Sequence, residues 1–149
     1  MLTEKEWRFF KRVIEEGIPF NRFIGLKIVD AKEGFVVLKI TFRPEFVGDP
    51  RRPALHGGLT SMILDSVGGA AGMTTLRSTK DRLATIDLRV DYLQPGDPED
   101  LFAEGKIVKS GNRIIFTEMV AFQGEHKRIV AEGRGVYHVR RIEHSESLS

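Results

Sequence analysis

The sequence predicts an α+β domain, an antiparallel β-sheet with one long helix to fill it and an extra N-terminal helix. Three observations carry this. Apolar and polar residues alternate with a period of two on both sides of a central segment. That segment changes to a 3.6-residue period. The later alternating runs are joined by short glycine-containing loops, which suit antiparallel hairpins.

In chain order, Thr3 and Glu6 form a capping-box pattern, and Trp7, Phe10 and Ile14 share one face of a helix over residues 3–17 that stops at Gly17 ahead of Pro19. Its mixed charges disfavour a membrane-binding helix. Residues 26–43 read as two strands around a Glu33-Gly34 turn, with Val36, Leu38, Ile40 and Phe42 on one face. A proline-bearing loop from Pro44 to Pro53 leads to His56-Gly57-Gly58. Leu59, Met62, Ile63, Val67 and Ala70 then mark a helix to about Leu76. Four strands follow. In the first, Ile86, Leu88, Val90 and Tyr92 are expected on one face, with Thr85, Asp87, Arg89 and Asp91 on the other. The others cover about 101–109, 113–122 and 127–139, and a frayed tail is expected over 140–149.

A chain of 149 residues is the size of one domain, and no repeat or linker divides it. A hydrophobic share of 41% beside a charged share of 30% fits a globule rather than a disordered segment. The absence of cysteine excludes thiol catalysis, cysteine zinc sites and disulfides, and a net charge of +2 gives no basic stripe for nucleic acid. No apolar run reaches the ~18 residues of a membrane span, and the first residues lack the apolar core of a signal peptide. A cytoplasmic protein with neither nucleic-acid nor membrane partner is expected.

The segment from Leu55 to Asp65 holds the chemistry. Gly57 and Gly58 open the long helix, where the first N–H groups lack intrahelical acceptors and carry the positive end of the helix dipole. Without a Cβ they admit a ligand to the backbone, which suits a carbonyl oxygen gaining negative charge. A tight loop-to-helix entry would also explain them. Asp65 stands among apolar neighbours, where a carboxylate needs a partner or a chemical task; a solvated helix edge is the alternative. Gly68, Gly69 and Gly72 each cost about 1 kcal/mol of helix propensity and imply close approach by another backbone or a ligand, with plain packing against the sheet as the alternative. Eight residues of helix separate Gly57 from Asp65 by ~12 Å, too far for both to touch one carbonyl. A second copy lying antiparallel would bring the two together and give the glycines a facing helix.

With these residues the chain resembles the hotdog-fold acyl-CoA thioesterases, in particular the PaaI-like (phenylacetate-pathway) branch of the 4-hydroxybenzoyl-CoA thioesterase superfamily. The likeness rests on His56-Gly57-Gly58, on Asp65 eight residues after the first glycine, and on the strand from Ala84 to Pro95 with its Tyr92-Leu93-Gln94-Pro95 ending. It implies a sheet wrapped round the long helix, homodimers or dimers of dimers, and hydrolysis of a small or medium, aromatic or aliphatic acyl-CoA, with no metal and no cofactor beyond the coenzyme A of the substrate. By this resemblance the Gly57 N–H polarises the thioester carbonyl and His56 orients it. Asp65 of the other subunit activates water or attacks the carbonyl, and Thr85 positions the water. Gly58 and Leu59 complete the substrate site. Relatives carry an Asn in the loop before this motif; here Asp49 stands nearest and, ionised, can only accept hydrogen bonds. The hairpin Lys109-Ser110-Gly111-Asn112-Arg113 matches the place where relatives hold coenzyme A phosphates, and Arg51, Arg52, Lys80 and Arg82 are further cations. His126, His138 and His144 have no ligand-like spacing and read as structural or exposed. A non-catalytic acyl-CoA-binding protein is the alternative from another class.

Overall fold

A computed structural model describes residues 2–142. Helix α1 (Glu4–Arg12) begins at the expected capping box and runs into a wider π-type turn over Val13–Gly17. Pro19 opens a short helix, α2 (Pro19–Ile24), ended by Gly25 in the left-handed conformation. Strands β1 (Leu26–Lys32) and β2 (Phe35–Ile40) follow, then the short pair β3 (Val47–Asp49) and β4 (Ala54–Leu55). Next come the long helix α3 (Gly57–Met73) and the strands β5 (Arg82–Tyr92), β6 (Leu101–Ser110), β7 (Ile114–Gln123) and β8 (Arg128–Arg140). Six strands make one antiparallel sheet in the order β1-β2-β6-β7-β8-β5.

The sheet curves around α3. Leu59, Ile63, Leu64, Val67, Ala70 and Ala71 of the helix are buried against Val36, Leu38, Ile40, Leu101 and Met119. The sheet residues beneath its middle are small: Ala103, Gly105, Ala121 and Ala131. A Cβ on Gly105 would lie 2.8 Å from the Val67 carbonyl oxygen, so this glycine sets how closely helix and sheet approach. Each Leu or Ile fully buried here contributes about 1.5–3 kcal/mol.

Several elements depart from expectation, each for a local reason. Helix α3 stops at Met73 because the hydroxyls of Thr74 and Thr75 donate to the carbonyls of Ala71 and Gly72 at 2.6 and 2.8 Å. The expected tail does not begin at Arg140. That residue pairs with Arg82 in the sheet, and Ile142 N–H donates to Asp81 Oδ1 at 3.0 Å; residues 143–149, with His144, lie outside the described residues. The alternation of β5 also breaks. A bulge between Thr85 and Asp87 leaves Ile86 exposed, so Thr85 faces α3 while Leu88, Val90 and Tyr92 resume the inner face beyond it.

The two outer edges of the sheet differ. At β1 the π-type turn delivers Glu15, which is 5% exposed, and its carboxylate accepts from the Ile28 N–H at 2.9 Å. Burial pushes the Glu15 pKa up, but hydrogen bonds from Lys11, Ile28 N–H and Lys27 outweigh it and the net direction is down. A depressed folded-state pKa stabilises the fold above the ordinary carboxylate value, and that contribution is lost as pH falls through the lower one. Glu15→Ala should therefore cost about 1.5–3 kcal/mol in urea unfolding at pH 7. The gap from the parent protein should narrow in acid; a constant gap would place the effect elsewhere.

Candidate active site

Two clusters lie at opposite ends of one stretch of α3, each held by one end of β5. The first is the helix entry. His56 is the N-cap, and its Nδ1 accepts the Gly58 N–H at 2.8 Å. With Nδ1 an acceptor, neutral imidazole carries its proton on Nε2, on the exposed side. Tyr92 OH donates to the Gly57 carbonyl at 2.8 Å, and Ser61 Oγ donates to it at 3.0 Å. The peptide between Gly57 and Gly58 is thus held at both ends. The preceding N–H, that of Gly57, has no acceptor among the described residues and opens on solvent at the positive end of the helix. A cleft of about 340 Å³ lies beside it, lined by Gly57, Thr60, Tyr92 and the strand end from Leu93 to Gly96. Such a donor can hold an oxygen that gains negative charge.

The second cluster surrounds Asp65, which is half-buried. Thr85 Oγ1 donates to Asp65 Oδ1 at 2.9 Å. Tyr137 OH donates to the Asp65 main-chain carbonyl at 2.8 Å and lies 3.4 Å from Oδ1. The register puts Thr85 directly across from Tyr137, and the bulge at Ile86 turns both toward the helix. Oδ2 has no donor among the described residues. Tyr137 was not singled out in the sequence, where it is one more inward residue of an alternating strand. The signal that points to it is the glycine pair around it: a Cβ on Gly68 would collide with its hydroxyl, and one on Gly135 would lie 2.6 Å from its ring. At Gly68 the close approach is by the chain's own sheet, the packing alternative, and Gly72 likewise makes room for Leu83, 2.7 Å from where its Cβ would be.

Other expected site residues fall as follows. The Leu59 side chain is buried in the core and its N–H bonds the His56 carbonyl, so it offers the site no free group. Asp49 accepts the Arg51 N–H at 3.0 Å in a local turn, with Arg51 Nε at 3.5 Å. Lys109, Ser110, Gly111, Asn112 and Arg113 are exposed at the β6–β7 turn. Asn112 and Arg113 border a cleft of about 420 Å³ with His138 and Arg140 of β8 and Arg141 just beyond it, side chains that sequence spacing did not group with the turn. Among the described residues, no group of three or more His, Cys, Asp or Glu is placed to hold a metal ion, and no helix is long and apolar enough to cross a membrane.

The His56 cap is directly testable. A Cβ on Gly58 would lie 2.9 Å from His56 Nδ1, so Gly58→Ala must swing the imidazole off its acceptor role. We expect a loss of about 0.5–2 kcal/mol in thermal denaturation with a change in the His56 ring resonances; an unaltered melting curve would show that the cap contributes nothing.

A family model described as Thioesterase superfamily matches residues 53–130, from the loop before His56 to the start of β8. The medium/long-chain acyl-CoA thioesterase YigI of Escherichia coli is 31% identical over 134 residues, covering 82% of this chain and 86% of that protein. Human acyl-coenzyme A thioesterase 13 is 25% identical over 122 residues, covering 80% and 84%. A crystal structure of a Shewanella oneidensis protein related to the thioesterase superfamily superposes with a TM-score of 0.77 at 31% identity, covering 88% of this chain and 93% of that one. With the matched segment spanning the helix entry, Asp65 and Thr85 together, the chain belongs to the thioesterase superfamily and is a hotdog-fold thioester hydrolase.

Proposed function

We propose that the protein hydrolyses medium-chain aliphatic acyl-CoA thioesters at a site shared by two copies of the chain. The observation that carries this is the bracing of α3 by β5: Tyr92 holds Gly57 while Thr85 holds Asp65. A two-fold axis passing α3 at Ser61 and β5 between Leu88 and Arg89 exchanges both pairs at once. It sets Gly57 against the partner subunit's Asp65, and Thr85 across from the partner subunit's Tyr92. The same axis supplies a neighbour for β5, an outer edge of 11 residues with Ile86 56% and Tyr92 54% exposed. A long open edge of this kind is a template for strand pairing.

In such a site the Gly57 N–H, with His56 Nε2–H beside it, receives the thioester oxygen. Asp65 of the partner subunit takes a proton from water as the water oxygen bonds to the carbonyl carbon. The tetrahedral adduct then breaks its C–S bond as Asp65 passes the proton on to the departing sulfur, giving acid, the thiol of coenzyme A and the free carboxylate again. Attack by Asp65 itself, through a mixed anhydride that water then opens, uses the same groups. The cations Arg113, Arg140 and Arg141 suit the coenzyme's phosphates. For the acyl tail, Met73 lies two turns beyond Asp65, ~12 Å along α3. It borders a cavity of about 320 Å³ walled by Phe9, Phe10, Val13 and Leu76. YigI, named for medium- and long-chain substrates, supports the same range.

Hydrolysis is read as thiol release from an acyl-CoA panel, which a cysteine-free protein leaves without background. Asp65→Ala should lower the rate roughly 10²- to 10⁴-fold, and no release from any chain length by the parent protein would end the proposal. Gly57→Pro and Asp65→Ala subunits, each inactive alone, should together recover about a quarter of parental activity after mixing, because each mixed dimer keeps one intact site. Val13→Trp, filling the cavity, should cut kcat/KM roughly 10-fold for the longest good substrate and spare short ones.

A further inference from the structure

We propose that Tyr137 is a positioning residue for Asp65, fixing the carboxylate through its main chain and through Oδ1 so that Oδ2 is the oxygen that acts. The inference rests on Asp65 being the acting carboxylate and adds which atom acts and what holds it. Thr85 and Tyr137 both approach Oδ1, at 2.9 and 3.4 Å, and leave Oδ2 open. The shorter Tyr137 bond, 2.8 Å to the Asp65 carbonyl, ties the backbone of the same residue, so a single hydroxyl restrains the base of the side chain and its tip.

A packing role would not require this arrangement. Phenylalanine would fill the same space without burying a hydroxyl, and a buried hydroxyl must find a partner. The surroundings also make way for the oxygen itself. A Cβ on Gly68 would collide with it, and one on Gly135 would lie 2.8 Å away. The Thr117 hydroxyl is buried nearby and donates to Met119 Sδ at 3.0 Å, so the Tyr137 hydroxyl has Asp65 as its acceptor. Burial, then the nearby Asp65 charge, push the Tyr137 pKa up, which keeps the phenol a neutral donor. Tyr137 is fully buried and touches no substrate, so it acts only through Asp65.

Two measurements test this. Tyr137→Phe, assayed well below its melting temperature, should lose kcat roughly 10- to 100-fold with KM changed less than about threefold. A kcat within twofold of the parent, or a loss confined to KM, would overturn the assignment. The second needs neither activity nor that variant's folding. The chain has two tyrosines, so uniform 3-fluorotyrosine labelling gives two ¹⁹F signals, assigned through Tyr92→Phe. Asp65→Ala should move the Tyr137 signal; an unmoved Tyr137 signal would overturn the coupling. Should Asp65→Ala retain full turnover while the Tyr137 signal moves, the catalytic reading falls and the coupling stands.

Discussion

A carboxylate on the half-buried face of an otherwise apolar helix sets the terms for much of this structure. Asp65 is held by Thr85 from β5 and by Tyr137 from β8. Each of those contacts has a local cost. The bulge at Ile86 interrupts the ladder between the two strands, and Gly68 and Gly135 give up side chains where a helix and a strand prefer them. A buried phenol must have a partner, and here it has one on the residue that needs restraint. Remove Asp65 and none of these irregularities has an evident reason; with it, bulge, glycines and buried tyrosine serve one geometry.

The helix entry obeys a different rule. Its polar groups are backbone, and their orientation is set by what caps them. His56 takes the Gly58 N–H and Tyr92 takes the Gly57 carbonyl, so one peptide is fixed and the next N–H is left open. The open N–H carries the positive end of α3, while Asp65 lies two turns along the same rod. A rigid helix cannot fold back to join these groups, which is why the proposed site draws its second group from another copy of the chain. Since β5 grips both positions, joining β5 to a second β5 would set the spacing of both clusters at once.

What could be read from residues alone divides along physical lines. Periodicity located the six strands of the sheet and α3, because burying one face of each leaves a pattern in sequence. It misassigned the inner face at the start of β5, since one extra residue at Ile86 reverses parity without changing composition. Gly57, Gly58 and Asp65 stood out through helix-end chemistry and a misplaced charge, while His56 gained its role from the family resemblance. Thr85 came only with the family resemblance, and Tyr137 not at all, because a tyrosine at an inward strand position looks like core until its hydroxyl's partner is known. The glycines of α3 were recognised as a sign of close approach, and at Gly68 and Gly72 the approaching group is the chain's own sheet, one of the readings their pattern left open. Short α2 was missed: six residues starting at a proline leave too little periodicity to detect.

The N-terminal segment explains why strand pairing has one direction open to it. A six-stranded sheet presents two edges, and either could template further strands. At β1 the π-type turn after α1 inserts Glu15 against the Ile28 N–H, with Lys11 and Lys27 bonded to the same carboxylate, so that edge is occupied by a side chain from its own fold. At β5 no such cover exists among the described residues, and apolar Ile86 lies bare along with Tyr92. In the proposed dimer a single open edge would close on one two-fold partner, whereas two open edges could extend without limit. Nor could the covered edge stand in for the open one, since β5 alone carries Thr85 and Tyr92 and reaches both ends of the site.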